Sequence, residues 1–424
     1  MQHDKLMSTQ VGRRLLWKRS LVAILILVAY VLISETPLPL VRPDILRHIT
    51  DVNQSKTLTL LMMLAGGNLE TGSIALVGLM PYMLVQMLVQ LLQTGLVPAI
   101  KHMAELPDGN QRVGKLVEVL SMICDFVTAW LILTVINRMS YGLLIQDTRM
   151  MVLISLFVTV GSMMLLYLAQ LDTLYGLGNG VTYVIAISIL VQLFEQNQHW
   201  HTFLHSLTHG LHLSATSVIV GGIVVIVVLN LLCYWFQTSS YIIPLQFAKL
   251  DSSLTRNGEL PFSLNVANVM PVILTSMTMN FCLIIGQLNH WHYWTTYFDF
   301  KHMNSVWVFI AMIIFMCFFT TLVQYYPPTM SKRLAESGVY VAGQVPGKNT
   351  TWYLLRKLVL LATLSAIFYL AVIGILMWIC YAHHINANMV FGISSILIVL
   401  SAFVDISNQI KGLYHKSLKL NLIN

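Results

Sequence analysis

Apolar residues in this chain fall in long unbroken blocks, with neither the strict alternation of a half-buried strand nor the narrow stripe of a soluble helix. A helix needs about 20 such residues to cross about 30 Å of hydrocarbon. Ten blocks are read as spans, at 20–40, 74–97, 113–137, 150–171, 180–195, 213–236, 266–288, 305–325, 353–380 and 389–411. Barrel strands would show only short alternating segments, whereas helices satisfy their own backbone hydrogen bonds in lipid, so the pattern is helical. Arg13, Arg14, Lys18 and Arg19 precede the first block as they would in a signal peptide. No small-x-small cleavage site follows Ser34 and nine further spans do, so that block reads as an uncleaved helix.

The connections are uneven. The loop at 237–265 holds the extended, β-like run YIIPLQFAKL and the turn-rich TRNGELP, and the loop at 326–352 is polar and punctuated by glycine. Connections of this length usually carry function. Before span two, the apolar run 58–65 is too short to span and ends at Gly66 and Gly67, as a half-helix or re-entrant segment would.

Composition then removes the soluble alternatives. Of 424 residues, 57% are hydrophobic and 10% charged, against about 25% charged in a soluble domain. The mean hydropathy is +0.73. Cys124, Cys233, Cys282, Cys317 and Cys380 lie inside apolar stretches without CxxC spacing and read as small buried hydrophobes. The net charge of +7 is topological: with ten spans, eighteen of the 24 lysines and arginines fall on the side of the two termini. Positive loops stay in the cytoplasm, so both termini are expected there, and no nucleic-acid partner is implied.

Four landmarks then occur in order. Span two reads GLMPYMLVQMLVQLL (78–92), span five opens with GLGNG (176–180), span seven is preceded by LPFSLNVANVMPVI (260–273), and SGVYVAGQVPGKNT (337–350) closes the last long loop. In this order and spacing the sequence resembles the SecY family of protein-conducting channels across residues 13–411. The resemblance implies an all-α polytopic membrane protein, with ten transmembrane helices in two inverted five-helix halves around a central pore. On that division, 1–19 is a cytoplasmic N-terminal segment, 20–195 the first half with a plug at about 58–67, 213–411 the second half, and 412–424 a cytoplasmic tail. The repeat itself is not detected in the residues.

Position by position, the resemblance places a pore ring at Leu79, Met83, Val181, Ile185, Met270, Ile273 and Ile398, and a plug at Leu60, Leu61, Leu64, Gly66 and Gly67. All seven ring residues are apolar, which suits a gasket that blocks ions by dewetting and offers a passing chain no polar hold. Met83 and Met270 add flexible, polarizable surface. A lateral gate between spans two and seven is expected to use Gln86 and Gln90, four residues apart on one helix face, with Asn268 and Thr275. Ordinary interhelical packing is the alternative for each of these four.

The family places an arginine in the last long loop, in a region that couples to a motor ATPase, and here Val345 stands in its place. Arginine's forked, permanently charged donors have no apolar substitute. The departure points to an accessory SecY-type channel working with its own SecA-type ATPase and exporting glycosylated, serine-rich surface proteins across the bacterial plasma membrane. Lys332, Arg333, Lys348, Arg356 and Lys357 are the candidate docking cations, although topology alone accounts for most of them. The implied partners are that motor, a secretory preprotein with its signal sequence, small membrane subunits and the lipid bilayer.

Other chemistry is thin. His201, His205, His209 and His212, beside His199, would share one face of a helix, which fits a soft interfacial helix, a pH-responsive surface or a zinc site. No family motif supports a metal there, and neither a metal nor a cofactor is assigned. A secondary transporter with inverted-repeat helices is the rival reading, using Asp125 in span three, whereas Asp405 matches a family position. No catalytic motif is present. GQVPGKNT falls one residue short of a Walker loop and lacks its strand and helix, so no ATPase is expected.

Overall fold

The computed structural model describes residues 2–39, 72–93, 100, 108–139, 147–176, 178–195, 227–228, 231–247, 258–266, 268, 270–289, 291–298, 303–345, 347–374 and 398–411. The plug expected at 58–67, the histidine-rich stretch and the tail lie outside the described residues. So do most of span six and parts of spans nine and ten.

The apolar blocks are helices: α1 Gln2–Glu35, α2 Met80–Leu91, α3 Gly109–Met139, α4 Thr148–Tyr175, α5 Gly180–Glu195, α6 Met270–Leu288, α7 His292–Phe298, α8 Met303–Gln324, α9 Pro327–Glu336 and α10 Lys348–Tyr369. Shorter helical stretches occupy 231–238 and 398–411. Among the described residues six stretches are long and apolar enough to cross a membrane, and α2 and α5 are shorter apolar helices. Their outward faces are apolar as well: Leu21, Ile24, Leu25 and Val28 on α1, and Leu153, Leu156 and Val160 on α4, are exposed. So much bare hydrocarbon is tolerable only against lipid.

Lipid tails are as apolar as the side chains, so close packing and small residues hold such helices together. On α4 the inward face carries Ser155, Thr159, Gly161, Ser162 and Ala169. A Cβ on Gly161 would lie 2.2 Å from Cγ2 of Ile74, which places the chain before α2 directly on the helix. Two of these hydroxyls bond backward within the helix, Ser155 to the Met151 carbonyl and Thr159 to that of Ser155, both at 2.8 Å, which satisfies them without water.

Two spans begin later than their apolar runs. Span two was expected from 74, but 72–79 is irregular, and α2 starts at Met80 with proline in its first turn. Gly72 and Gly78 have positive φ, and the segment pairs with the chain after α1 through a Pro37–Ser73 bridge and the Leu38 amide on the Gly72 carbonyl at 2.9 Å. It is buried throughout except for a half-buried Ile74, the condition for non-helical backbone at membrane depth. Span seven was expected from 266, and α6 starts at Met270. Here Asn268 takes φ +51, against +66 at Gly78. Helices α2 and α6 thus share one entrance pattern, a positive-φ residue two places before Met-Pro, and they pack against each other. This is a local trace of the repeat that composition hides.

The long loops are folded. Strands β1 Ser240–Phe247, β2 Gly258–Ser263 and β3 Val339–Val341 form an antiparallel sheet in the order β2-β1-β3, with Ile243 opposite Leu260 and Leu245 opposite Val341. The β-like run of the sequence is β1. Pro244 is tolerated in this central strand because β3 pairs only with 245–247, and its carbonyl accepts from Ala342 at 3.1 Å. Ile243, Leu245, Phe262 and Val341 pack onto Leu354, Leu358 and Leu361 of α10. The second loop, read as polar and punctuated by glycine, holds α9, opened by Pro327, and β3, with Gly338, Gly343 and Gly347 at positive φ around it. The sheet marks one end of the bundle.

Candidate functional site

The seven ring candidates come from four separate stretches of chain. Leu79 and Met83 sit at the start of α2, Val181 and Ile185 in the first turns of α5, Met270 and Ile273 at the start of α6, and Ile398 in the segment 398–411. The fold gathers all seven into one apolar cluster. Leu79, Met83, Ile185, Ile273 and Ile398 are buried within it, and Val181 and Met270 are half-buried against it. Tyr30 of α1 and Phe309 of α8, fully buried, belong to the same cluster.

Polar groups also sit within the apolar helices. Gln86 and Gln90 are half-buried on α2, and Thr275 is buried on α6 with its hydroxyl unbonded among the described residues. Sequence reasoning missed Asn280, one turn further along α6, buried with its amide nitrogen 3.9 Å from the sulfur of Met80. It crosses the α2–α6 contact, and a buried amide in an apolar span was the signal. Asp125 is buried on α3, with Oδ1 unpartnered among the described residues.

Asn268 goes elsewhere than to the glutamines. At the sheet end of the bundle its amide nitrogen donates to Asp405 Oδ2 at 3.2 Å, and its Oδ1 accepts from Ser401 at 2.6 Å. The hydroxyl of fully buried Tyr369 donates to its backbone carbonyl and accepts from the Asn265 amide at 2.9 Å. A π-helical turn, Leu370–Gly374, follows Tyr369 directly, a local widening of the kind found at functional positions.

The basic candidates separate into two groups. Lys332, Arg333, Lys348 and Arg356 are exposed. The Lys332–Glu336 pair, 3.9 Å apart and exposed, is worth at most about 1 kcal/mol. Lys357 instead turns inward, donating to the Tyr241 hydroxyl at 2.7 Å with its ammonium 4.9 Å from that ring, and so ties β1 to α10. Val345 is 67% exposed, and Trp352, which the sequence reading passed over, is 72% exposed. Lys348, Trp352 and Arg356 recur every four residues, so one face of α10 offers charge, ring and charge beside Val345. Thr350 fixes this loop by donating to the Val345 carbonyl at 2.9 Å.

A family model described as SecY matches residues 73–407. The chain belongs to the SecY family. Among curated relatives, the protein translocase subunits SecY 2 and SecY 1 of Lactobacillus kefiranofaciens subsp. kefiranofaciens are 27% and 26% identical to it. The first alignment covers 86% of this chain and 90% of the relative, the second 87% and 89%. A solved SecY structure, concerned with how the plug domain stabilises the closed state of the translocation channel, superposes with a TM-score of 0.64 at 17% identity. It covers 95% of this chain and 93% of that one. The fold is therefore that of the SecY channels, multi-pass and helical.

Proposed function

We propose that this chain is the central, passive channel subunit of a protein translocase, passing unfolded secretory polypeptides across a bacterial plasma membrane. The observation that carries the reading is the convergence of seven apolar side chains, from four separate stretches, on one buried cluster. Such a ring seals against ions when empty and yields to a chain of any sequence. Asn280 crosses the contact of α2 with α6, and in this reading Gln86 and Gln90 of α2 and Thr275 of α6 belong to the seam that parts toward lipid.

The sheet end faces the cytoplasm in this reading, as do both termini, because the basic loops lie there. That end receives a SecA-type motor, since the chain carries no nucleotide motif of its own. Trp352, exposed between Lys348 and Arg356, and exposed Val345 just before them favour a motor with a complementary apolar and acidic patch. This supports an accessory system with glycosylated, serine-rich cargo. Small membrane subunits would complete the assembly.

The experiment is reconstitution of the full chain into vesicles with an accessory SecA-type ATPase and ATP. A serine-rich precursor should become protected from added protease, and protection should vanish without ATP. A precursor that stays digestible with every motor offered would overturn the proposal.

A further inference from the structure

The turn between α4 and α5 satisfies three of its described donors locally. The Gly176 amide bonds the Asp172 carbonyl at 2.8 Å, the Gly180 amide the Thr173 hydroxyl at 3.0 Å, and the Val181 amide the Asn179 side chain at 3.3 Å, an N-cap for α5. Gly178 is different. At φ +98 its amide leaves the turn and donates to Oε1 of Gln409 at 2.7 Å, across to the last described helical segment. A Cβ on Gly178 would lie 3.2 Å from Cγ1 of Ile406, so the turn packs directly against a side chain of that segment.

One turn before Gln409 on that same segment is Asp405, bonded to Asn268 at the entrance of α6, and a further turn back is Ser401, bonded to the same side chain. Segment 398–411 therefore holds the entrance of α5 with one residue and the entrance of α6 with two others. Those entrances carry Val181, Ile185, Met270 and Ile273, and the segment itself carries Ile398. Five of the seven ring candidates are positioned through this set of bonds.

We propose that Gln409 is a bolt across the cytoplasmic mouth of the channel, with Asp405, Ser401 and Asn268 as the anchorage of the helix that carries it. Widening the ring requires the α5 and α6 entrances to part. The Asn268 anchorage lies within the second half and travels with it, whereas the Gln409–Gly178 bond joins the two halves and must break. Gln409 is a positioning residue, exposed enough for water to replace the bond once it opens. The proposal rests on the channel reading above.

The test uses the full-length chain in vesicles. Two quantities are read, resting ion leak without motor or precursor, and export of a precursor with a weakened signal sequence. Gln409→Leu, which removes the acceptor, should raise both, with the open-to-closed ratio moving roughly fivefold, as expected for one ordinary net hydrogen bond. Gln409→Glu keeps an acceptor oxygen and should return both to wild type. If Gln409→Leu fails to insert, Asn268→Gly serves instead, since it keeps the backbone conformation, frees the anchorage and should shift both readings the same way. Wild-type leak and export in a well-inserted Gln409→Leu protein overturn the bolt, as does a Gln409→Glu protein that behaves like Gln409→Leu. Failure of the wild type to export any precursor sinks the translocase reading instead, while the leak still reports on the bolt.

Discussion

Asn268 joins two demands that few residues meet together. Its backbone sits at φ +51, where asparagine and glycine are at ease, while its side chain donates to Asp405 and accepts from Ser401 and its carbonyl accepts from Tyr369. Glycine there satisfies only the first demand, and valine neither. Asn268→Val should therefore lower the thermal midpoint of the detergent-solubilised protein well below that of Asn268→Gly. The left-handed backbone alone costs valine about 1–2 kcal/mol. Equal midpoints for the two variants would mean that the backbone conformation is not enforced. Gly178, at φ +98, faces the same restriction on the other side of the mouth.

At the scale of elements, the charged and aromatic face of α10 has the clearest consequence. Reversing Lys348 and Arg356 together to glutamate should weaken motor binding roughly tenfold at low salt, because rim charges act on encounter and are screened. The loss should shrink as salt rises. Titration of a labelled motor onto vesicles reads this, and unchanged binding would move the docking surface off α10. Lys357, bonded to Tyr241, belongs to the fold, and replacing it should loosen the sheet before it affects the motor.

The elements also mark how far the sequence could be read. Span lengths were legible because crossing hydrocarbon imposes continuous apolar runs, and α5 occupies the expected 180–195. The entrance of α2 was not, because residues 72–79 are as apolar as a helix while their backbone is bent. Burial selects the side chains there, and glycine and proline set the path. The ring candidates were legible only through the resemblance, since an apolar residue facing the centre and one facing lipid are alike in composition. Asn268 was assigned to the gate from its place in the chain. Its partners, Asp405 and Ser401, stand more than 130 positions away, and no local pattern connects them.

Across the whole molecule, the proposed function requires the interior to be a seal and the exterior a lipid-facing shell. The apolar cluster spans both halves, from Tyr30 of α1 to Ile398. The polar bonds at the sheet end hold the entrances that feed it. A moving polypeptide must then meet α2, α5, α6 and segment 398–411 and avoid the outer faces of α1 and α4. The most direct measurement places a photocrosslinking amino acid at Met83, at Ile398 and at lipid-facing Leu156, then arrests a secretory precursor in vesicles holding the full chain and its motor. Crosslinks to the precursor from Met83 and Ile398, with none from Leu156, are the predicted result. A precursor that is exported while crosslinking to neither interior position would contradict the account, because the path would then lie outside the apolar ring.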